Sequence, residues 1–253
     1  MTTFADLGLS PKLLLALEKT TLKAPTPIQA QAIPHIMAGK DLMGLAQTGT
    51  GKTAAFGLPL LHRLLDIPHP PGPKNIRALI LAPTRELTLQ IKDNLEIFTK
   101  GTHIKVLMVV GGASINKQTQ ALTRGADVLV ATPGRLIDHL EQGNVSLEKC
   151  GYLVLDEADH MLDMGFIHSL RKIAKHIPLR RQTLMFSATM PKDINEIADT
   201  YLRDPVKVQV NPPGKPAEKV TQGVHFLPNG DKARQLETYL KTHPGEQALV
   251  FSR

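Results

Sequence analysis

The chain has 253 residues, 42% of them hydrophobic, enough for one large α/β domain or for one domain and part of another. Lys and Arg outnumber Asp and Glu by 30 to 23, a surplus compatible with a polyanionic partner without demanding one, and aromatics at 4% leave few platforms for stacking bases. A single cysteine, Cys150, excludes an internal disulfide and a cysteine-built zinc cluster and fits a reducing compartment, so the expected location is cytoplasmic; no secretory signal and no apolar run of about 20 residues is present, so no membrane is expected.

In chain order, Ser10 before Pro11 and Thr26 before Pro27 read as helix starts, the second with Gln29 placed three residues on to complete a capping box. A short apolar lead then runs into "GLAQTGTGKT" (44–53) and the helix-like "AAFGLPLLHRLL". "IPHPPGPKN" (67–75) reads as a surface loop. Five apolar, β-branched runs follow with helix-like stretches between them, at 78–84, 105–112, 127–135, 152–159 and 182–189. Near-continuous rather than alternating hydrophobicity predicts a mainly parallel sheet covered by helices on both faces. Each run ends in polar or Gly-containing residues on the same side, where such sheets bind ligands. "NPPGKPA" (211–217) breaks both regular structures and reads as a linker between a domain at 1–210 and a second at 218–253. The latter has the outline of strand, helix and strand, the start of a second parallel domain that stops before it could close a core.

The residues that carry chemistry begin with 44–53. Gly49 and Gly51 let backbone N–H groups converge on phosphate oxygens at a helix start, Lys52 can reach the terminal phosphates, and the Thr53 hydroxyl can sit on Mg²⁺. Ala46 stands where such loops usually carry their first glycine. The bland alternative is a Gly-rich turn with a surface lysine. "DEAD" (156–159) closes a buried strand with three carboxylates in four positions, where like charges repel. With a phosphate loop present, Asp156 can hold the Mg²⁺ through water and Glu157 can orient and deprotonate an attacking water. The alternative is an acidic first turn complementing a helix dipole. A transition-metal site built on Asp156 and His160 is disfavoured, because hard oxygen ligands suit Mg²⁺. Cys150 reads as core, and Lys105, Lys117 and Lys149 as solvated faces.

The same residues, taken in order, carry a resemblance. Phe4, "PTPIQ" (25–29), "AQTGTGKT" (46–53), "PTRELTLQ" (83–90), "GG" (111–112), "TPGR" (132–135), "DEAD" (156–159) and "SAT" (187–189) resemble the N-terminal RecA-like domain of DEAD-box ATP-dependent RNA helicases, with most likeness to bacterial RhlE-type members. Each short motif alone is weak, but together in this order they are highly specific. The resemblance implies a RecA-like P-loop fold with the start of a second RecA-like domain. It implies ATP and Mg²⁺ as cofactors, ATP bound by Phe4, Gln29, Gln47, Thr48, Gly49, Thr50, Gly51, Lys52 and Thr53, and metal held by Thr53 and Asp156. Lys52, Asp156 and Glu157 would be catalytic. Phe4 would lie against adenine and the Gln29 amide would pair with its edge, where the capping box is the competing role; Thr21 stands where the family often has glycine.

The resemblance further implies RNA as partner, a single strand or short duplex gripped by its backbone without regard to sequence. The contacts would come from Pro83, Thr84, Arg85, Gly111, Gly112, Thr132, Pro133, Gly134 and Arg135. Thr88 takes the place of a more frequent alanine, facing the helix rather than the strand. Asp159 with Ser187, Ala188 and Thr189 would couple the nucleotide to the RNA. Without the family, the arginines would read as solvated surface and "SAT" as a strand end and helix cap. The family's second domain supplies arginines that neutralise the transferring phosphoryl group, and no such motif lies in residues 1–253. The expected function is therefore the ATP-binding half of an RNA helicase, nearly inactive by itself. The alternative is a nucleotide-gated RNA-binding module without turnover; a P-loop enzyme of small molecules is disfavoured, and DNA is the substrate hardest to separate from RNA. RNA-processing proteins are candidate partners, and the oligomeric state is not legible.

Overall fold

A computed structural model of the chain describes residues 2–210, 223–228 and 230–251. Contacts divide it into two compact units, Met1–Pro213 and Gly214–Arg253. The first begins with a 3-10 turn at Ala5–Leu7, then α1 (Pro11–Glu18), α2 (Pro27–Met37), β1 (Leu42–Leu45), α3 (Lys52–Leu65), β2 (Ile76–Leu81) and α4 (Arg85–Thr99). It continues with β3 (Val106–Val109), α5 (Ile115–Leu122), β4 (Ala126–Ala131), α6 (Pro133–Glu141), β5 (Tyr152–Leu155), α7 (Ala158–Asp163), α8 (Ile167–Ala174), β6 (Gln182–Ser187), α9 (Lys192–Tyr201) and β7 (Val206–Gln209). Among the described residues the strands form one seven-stranded sheet in the order β3-β4-β2-β5-β6-β1-β7, with every pairing parallel. This is the helix-covered sheet expected of a RecA-like α/β domain.

Successive strand side chains point to opposite faces. Ile80, Val130, Val154 and Phe186 pack toward α1 to α4, while Leu81, Leu129, Leu153 and Met185 pack toward α6 to α9. All six residues of β4 are buried, which is why its run is apolar throughout instead of alternating. Two strands escaped the sequence reading. β1 has only four residues and read as an apolar lead, and β7, at the sheet edge, alternates exposed Lys207 and Gln209 with buried Val208.

A buried carboxylate sets the far end of these strands. Asp41 accepts the Thr183 N–H at 2.8 Å through Oδ1 and the Arg203 N–H at 2.8 Å through Oδ2, joining the start of β6 to the turn before β7. Its backbone carbonyl also accepts the Val206 N–H. Asp41→Ala leaves the buried Thr183 N–H and the partly buried Arg203 N–H unpaired. It should lower unfolding stability by about 2–4 kcal/mol, read as a lower urea midpoint at unchanged slope; an unchanged midpoint would contradict this role.

Some sequence expectations need correction. Ser10 stands at an N-cap with Pro11 at the first helical position, but its hydroxyl does not bond the turn it precedes, and the structure shows the same at Thr132 before Pro133. Lys105 and Lys149 are not merely solvated: Lys105 Nζ donates to the Ala121 and Gly125 carbonyls, and Lys149 Nζ to that of Pro71. In the second unit α10 (Lys232–Thr242) carries a Lys241–Glu237 pair at 2.6 Å. The strands expected on either side of it are not formed at 223–228 or 246–251, since a strand needs a neighbour to take its ladder hydrogen bonds. The expected linker at 211–217 lies outside the described residues, as do 218–222. No helix among the described residues is long and apolar enough to cross a membrane.

Candidate functional site

The sheet order sorts the candidate residues into two neighbouring groups. The loops after β1, β5 and β6, adjacent strands, carry the phosphate loop, the carboxylates and residues 187–189. Those after β3, β4 and β2 carry 111–112, 132–135 and 83–85. Matching register brings these ends level, with Leu45 beside Ser187, Leu81 beside Leu155 and Ala131, and Val109 beside Ala131.

β1 runs into the phosphate loop through Ala46, whose N–H donates to the Ser187 carbonyl at 3.0 Å. Gly49 and Gly51 adopt left-handed backbone, at φ 78° and 92°, and Gly51 caps the N-terminus of α3. A Cβ on Gly51 would also stand 2.4 Å from Gln29 Nε2, so glycine is required there twice over. Ala46 is not among the left-handed residues, which is why alanine serves where glycine is usual. The Thr50 hydroxyl closes the loop by donating to the Gln47 carbonyl at 2.8 Å, leaving Gln47, Thr48 and Gly49 exposed. Lys52 follows at the first helical position, 6% exposed, with Nζ 3.4 Å from the Ala46 carbonyl and 3.7 Å from Asp156 Oδ1. A cavity of about 300 Å³ opens here, lined by Thr48, Gly49, Lys52, Thr53, Asp156 and Glu157 among others.

The three crowded carboxylates are turned toward different partners. Asp156, 2% exposed, follows β5 with its N–H on the Leu81 carbonyl and its Oδ1 accepting the Glu157 N–H at 3.1 Å. Burial pushes its pKa up to about 6, Lys52 opposing and the Glu157 charge adding. Without a cation this favours the folded chain while the carboxyl is protonated, and the contribution is lost as pH rises through about 6. Glu157 sits at φ 54°, ψ 53°, a left-handed conformation that costs a non-glycine residue about 1–3 kcal/mol and marks a turn held by its surroundings. Its Oε2 lies 3.5 Å from His160 Nδ1, so His160 faces Glu157 rather than Asp156. Asp159 Oδ2 accepts from the Ala188 N–H at 3.1 Å, the Thr189 N–H at 2.9 Å and the Thr189 hydroxyl at 2.9 Å. Burial alone would raise its pKa; the hydrogen bonds from the Thr189 hydroxyl and N–H outweigh it and hold the carboxyl below its ordinary value. Ser187 Oγ donates to the Thr189 carbonyl at 2.8 Å, so residues 187–189 and Asp159 form one hydrogen-bonded knot.

Gln29 is fully buried and lines the same cavity. Its Oε1 accepts the Thr26 N–H, the Gln29 arm of the capping box, and its Nε2 donates to the Gly51 carbonyl, each at 3.0 Å. One N–H and one lone pair remain on the amide. Phe4 is not part of this cavity: 6% exposed, it is packed in the core and lines an adjoining cavity of about 310 Å³ that shares Leu22 with the first.

Among the second group, Pro83 is buried, Thr84 caps α4 by accepting the Leu87 N–H at 3.2 Å, and Arg85 is exposed. A Cβ on Gly112, at φ 71°, would meet the Arg85 guanidinium at 2.5 Å, so the Arg85 head rests on the Gly111 and Gly112 turn. Arg135 also reaches that turn, with Nη1 donating to the Ala113 carbonyl at 2.8 Å and Nε to Asp138 at 3.2 Å. Thr132 and Pro133 are buried beneath it, and Gly134 is half-buried. Thr88 is fully buried with its hydroxyl donating to the Thr84 and Arg85 carbonyls. Sequence reading missed Gln118 and His139, which are buried behind these loops, and Leu87, Gln90 and Asn94, the α4 wall of the first cavity. The 3.6-residue spacing of Leu87, Gln90 and Asn94 was the available signal. Cys150 is core, its thiol pushed up to about 12 by burial.

The donor set fits Mg²⁺ and a nucleoside triphosphate: a buried carboxylate and a hydroxyl as hard oxygens, beside glycine amides, a helix N-terminus and a lysine. A family model described as DEAD/DEAH box helicase matches residues 26–197. The RNA helicase CrhR of Synechocystis is 42% identical over 99% of this chain and 50% of its own length. The ATP-dependent rRNA helicase RRP3 of Meyerozyma guilliermondii is 44% identical over 99% of this chain and 52% of its own, and the ATP-dependent RNA helicase CshA of Listeria monocytogenes 40% over 100% and 48%. The chain thus spans about half the length of these relatives.

Proposed function

The chain belongs to the DEAD/DEAH box helicase family, and from that premise we propose that it is the ATP-binding half of an RNA helicase that parts or remodels short duplexes. The observation that carries the reading is the single cavity in which Lys52 and Asp156 stand 3.7 Å apart beneath the phosphate loop. Backbone N–H groups of Gly49 to Lys52 receive the phosphates, and Lys52 neutralises their charge. The bond from Thr50 to the Gln47 carbonyl sets the curve of the loop, and exposed Gln47 and Thr48 would face the phosphates. Thr53, and Asp156 through water, would hold Mg²⁺, which would supply charge neutralisation at the phosphates. Glu157 orients the attacking water and takes its proton. The base would lie toward the adjoining cavity lined by Phe4, with the spare N–H and lone pair of Gln29 facing it, a pattern that prefers adenine to guanine.

Asp159 and residues 187–189 would carry the state of the nucleotide toward the RNA side, where Pro83 to Arg85, Gly111 and Gly112, and Thr132 to Arg135 grip one strand by its phosphates. Arginines from a second domain would complete the hydrolytic centre, so this chain by itself should bind nucleotide, hold RNA weakly and turn over very slowly.

The RNA side is tested with Arg85→Ala and Arg135→Ala. Each should weaken binding equally for uridine-rich and adenine-rich single strands. Each should also flatten the plot of log affinity against log salt by about 0.7, while nucleotide affinity stays unchanged. A loss confined to one sequence would show base reading and contradict the proposal.

A further inference from the structure

Behind the two arginine-bearing loops runs a buried chain of side-chain hydrogen bonds that the reading above does not use. Gln118 of α5, 9% exposed, donates Nε2 to the carbonyl of Val110, the residue before Gly111, at 3.0 Å. Its Oε1 lies 3.1 Å from Nε2 of His139, which is fully buried on α6, one turn beyond Arg135. His139 Nδ1 in turn lies 3.3 Å from Asn144 Nδ2, and the Asn144 N–H donates to the His139 carbonyl at 2.8 Å.

The order of donors follows from its fixed end. The Val110 carbonyl can only accept, so Gln118 presents its NH₂ there and its oxygen to His139. His139 therefore carries its proton on Nε2 and accepts from Asn144 on Nδ1, as a neutral imidazole. Burial, reinforced by the Arg135 charge, lowers its pKa and agrees with that form. Aliphatic side chains could fill the same space without burying polar atoms, so packing alone gives no reason for the arrangement. A chain of directional hydrogen bonds fixes a single geometry where an apolar contact tolerates sliding. What it fixes is the turn that both arginines touch: Arg85 rests on Gly112, and Arg135 bonds the adjoining Ala113 carbonyl.

We propose that Gln118 and His139 are positioning residues that hold the Gly111 and Gly112 turn in register with Thr132 to Arg135, so that both arginine loops meet neighbouring phosphates of one strand. The inference rests on the RNA-backbone reading of those loops.

The test uses the 253-residue chain and three variants: Gln118→Glu, which keeps the shape but turns an acceptor toward the Val110 carbonyl; His139→Leu; and His139→Gln, whose amide can still donate to Gln118. Affinities for a fluorescent single-stranded uridine oligomer and for fluorescent ADP are measured together. Gln118→Glu and His139→Leu should weaken RNA binding about fivefold or more, with ADP affinity held within about twofold and most of the loss recovered in His139→Gln. Parallel loss of RNA and ADP binding would show a general packing role and overturn the inference, as would unchanged RNA affinity. A parent chain that binds ADP but no RNA would instead overturn the reading of the two loops, and the inference with it.

Discussion

Glu157→Gln is expected to reduce RNA-stimulated ATP hydrolysis by about 10²–10⁴-fold while leaving ATP and RNA affinity close to the parent. The substitution keeps the size of the side chain, and the Glu157 backbone N–H that donates to Asp156 is untouched. The left-handed turn that points residue 157 into the cavity is set by the passage from β5 to α7, so it too should survive. What disappears is a carboxylate able to accept a proton. The measurement is phosphate release by this chain joined to a complete second domain, with saturating single-stranded RNA. A drop of less than about tenfold would remove Glu157 from the role of base. The same experiment separates an enzyme from a nucleotide-gated RNA-binding module, because a module loses nothing that Glu157 supplies.

Lys52→Ala should act earlier, at binding. Lys52 is the one cation placed against Asp156 at the phosphate loop among the described residues, and it is itself buried. In the proposed complex Lys52 pairs with the terminal phosphates, and truncating one partner of a buried charge pair across an interface costs about 2–5 kcal/mol, roughly 30- to 5000-fold in nucleotide affinity. Hydrolysis should fall with it, since the phosphates lose the charge that orients them. Loss of Lys52 also removes the influence that holds the Asp156 pKa down, so the carboxyl is protonated over a wider range and becomes a poorer oxygen donor. Titration with fluorescent ADP reads the effect directly. Affinity within a few fold of the parent would mean that backbone amides alone hold the phosphates.

What was legible in the sequence was what local chemistry encodes. Runs buried on both faces announced β2 to β6, and glycines at 49 and 51 announced a loop whose backbone must turn left-handed. The arrangement around them was not legible, because it depends on partners far along the chain. Nothing near β1 says that it lies between β6 and β7. Asp41 finds its donors at Thr183 and Arg203, and Gln118 reaches His139 across a strand. Gln29 illustrates both levels: the bond from the Thr26 N–H was readable from a three-residue spacing, whereas its bond to the Gly51 carbonyl spans 22 positions. Phe4 is buried beside the neighbouring cavity, a placement that no local spacing announces.

The crowding of Asp156, Glu157 and Asp159 has a structural resolution. One bond takes each carboxylate in a different direction, to Lys52, toward His160 and to Thr189. Charge repulsion is thereby spread over three partners, and the proposed roles in metal holding, proton transfer and communication with the RNA side would follow the same division.

The central claim is that these sites are half of a two-domain machine. It is tested most directly by ATP hydrolysis of the 253-residue chain, with and without single-stranded RNA, beside the same chain extended through a complete second domain. The account predicts that only the extended chain is stimulated by RNA. Equal stimulation of the short chain would show that no arginine from a second domain is needed, and would contradict it.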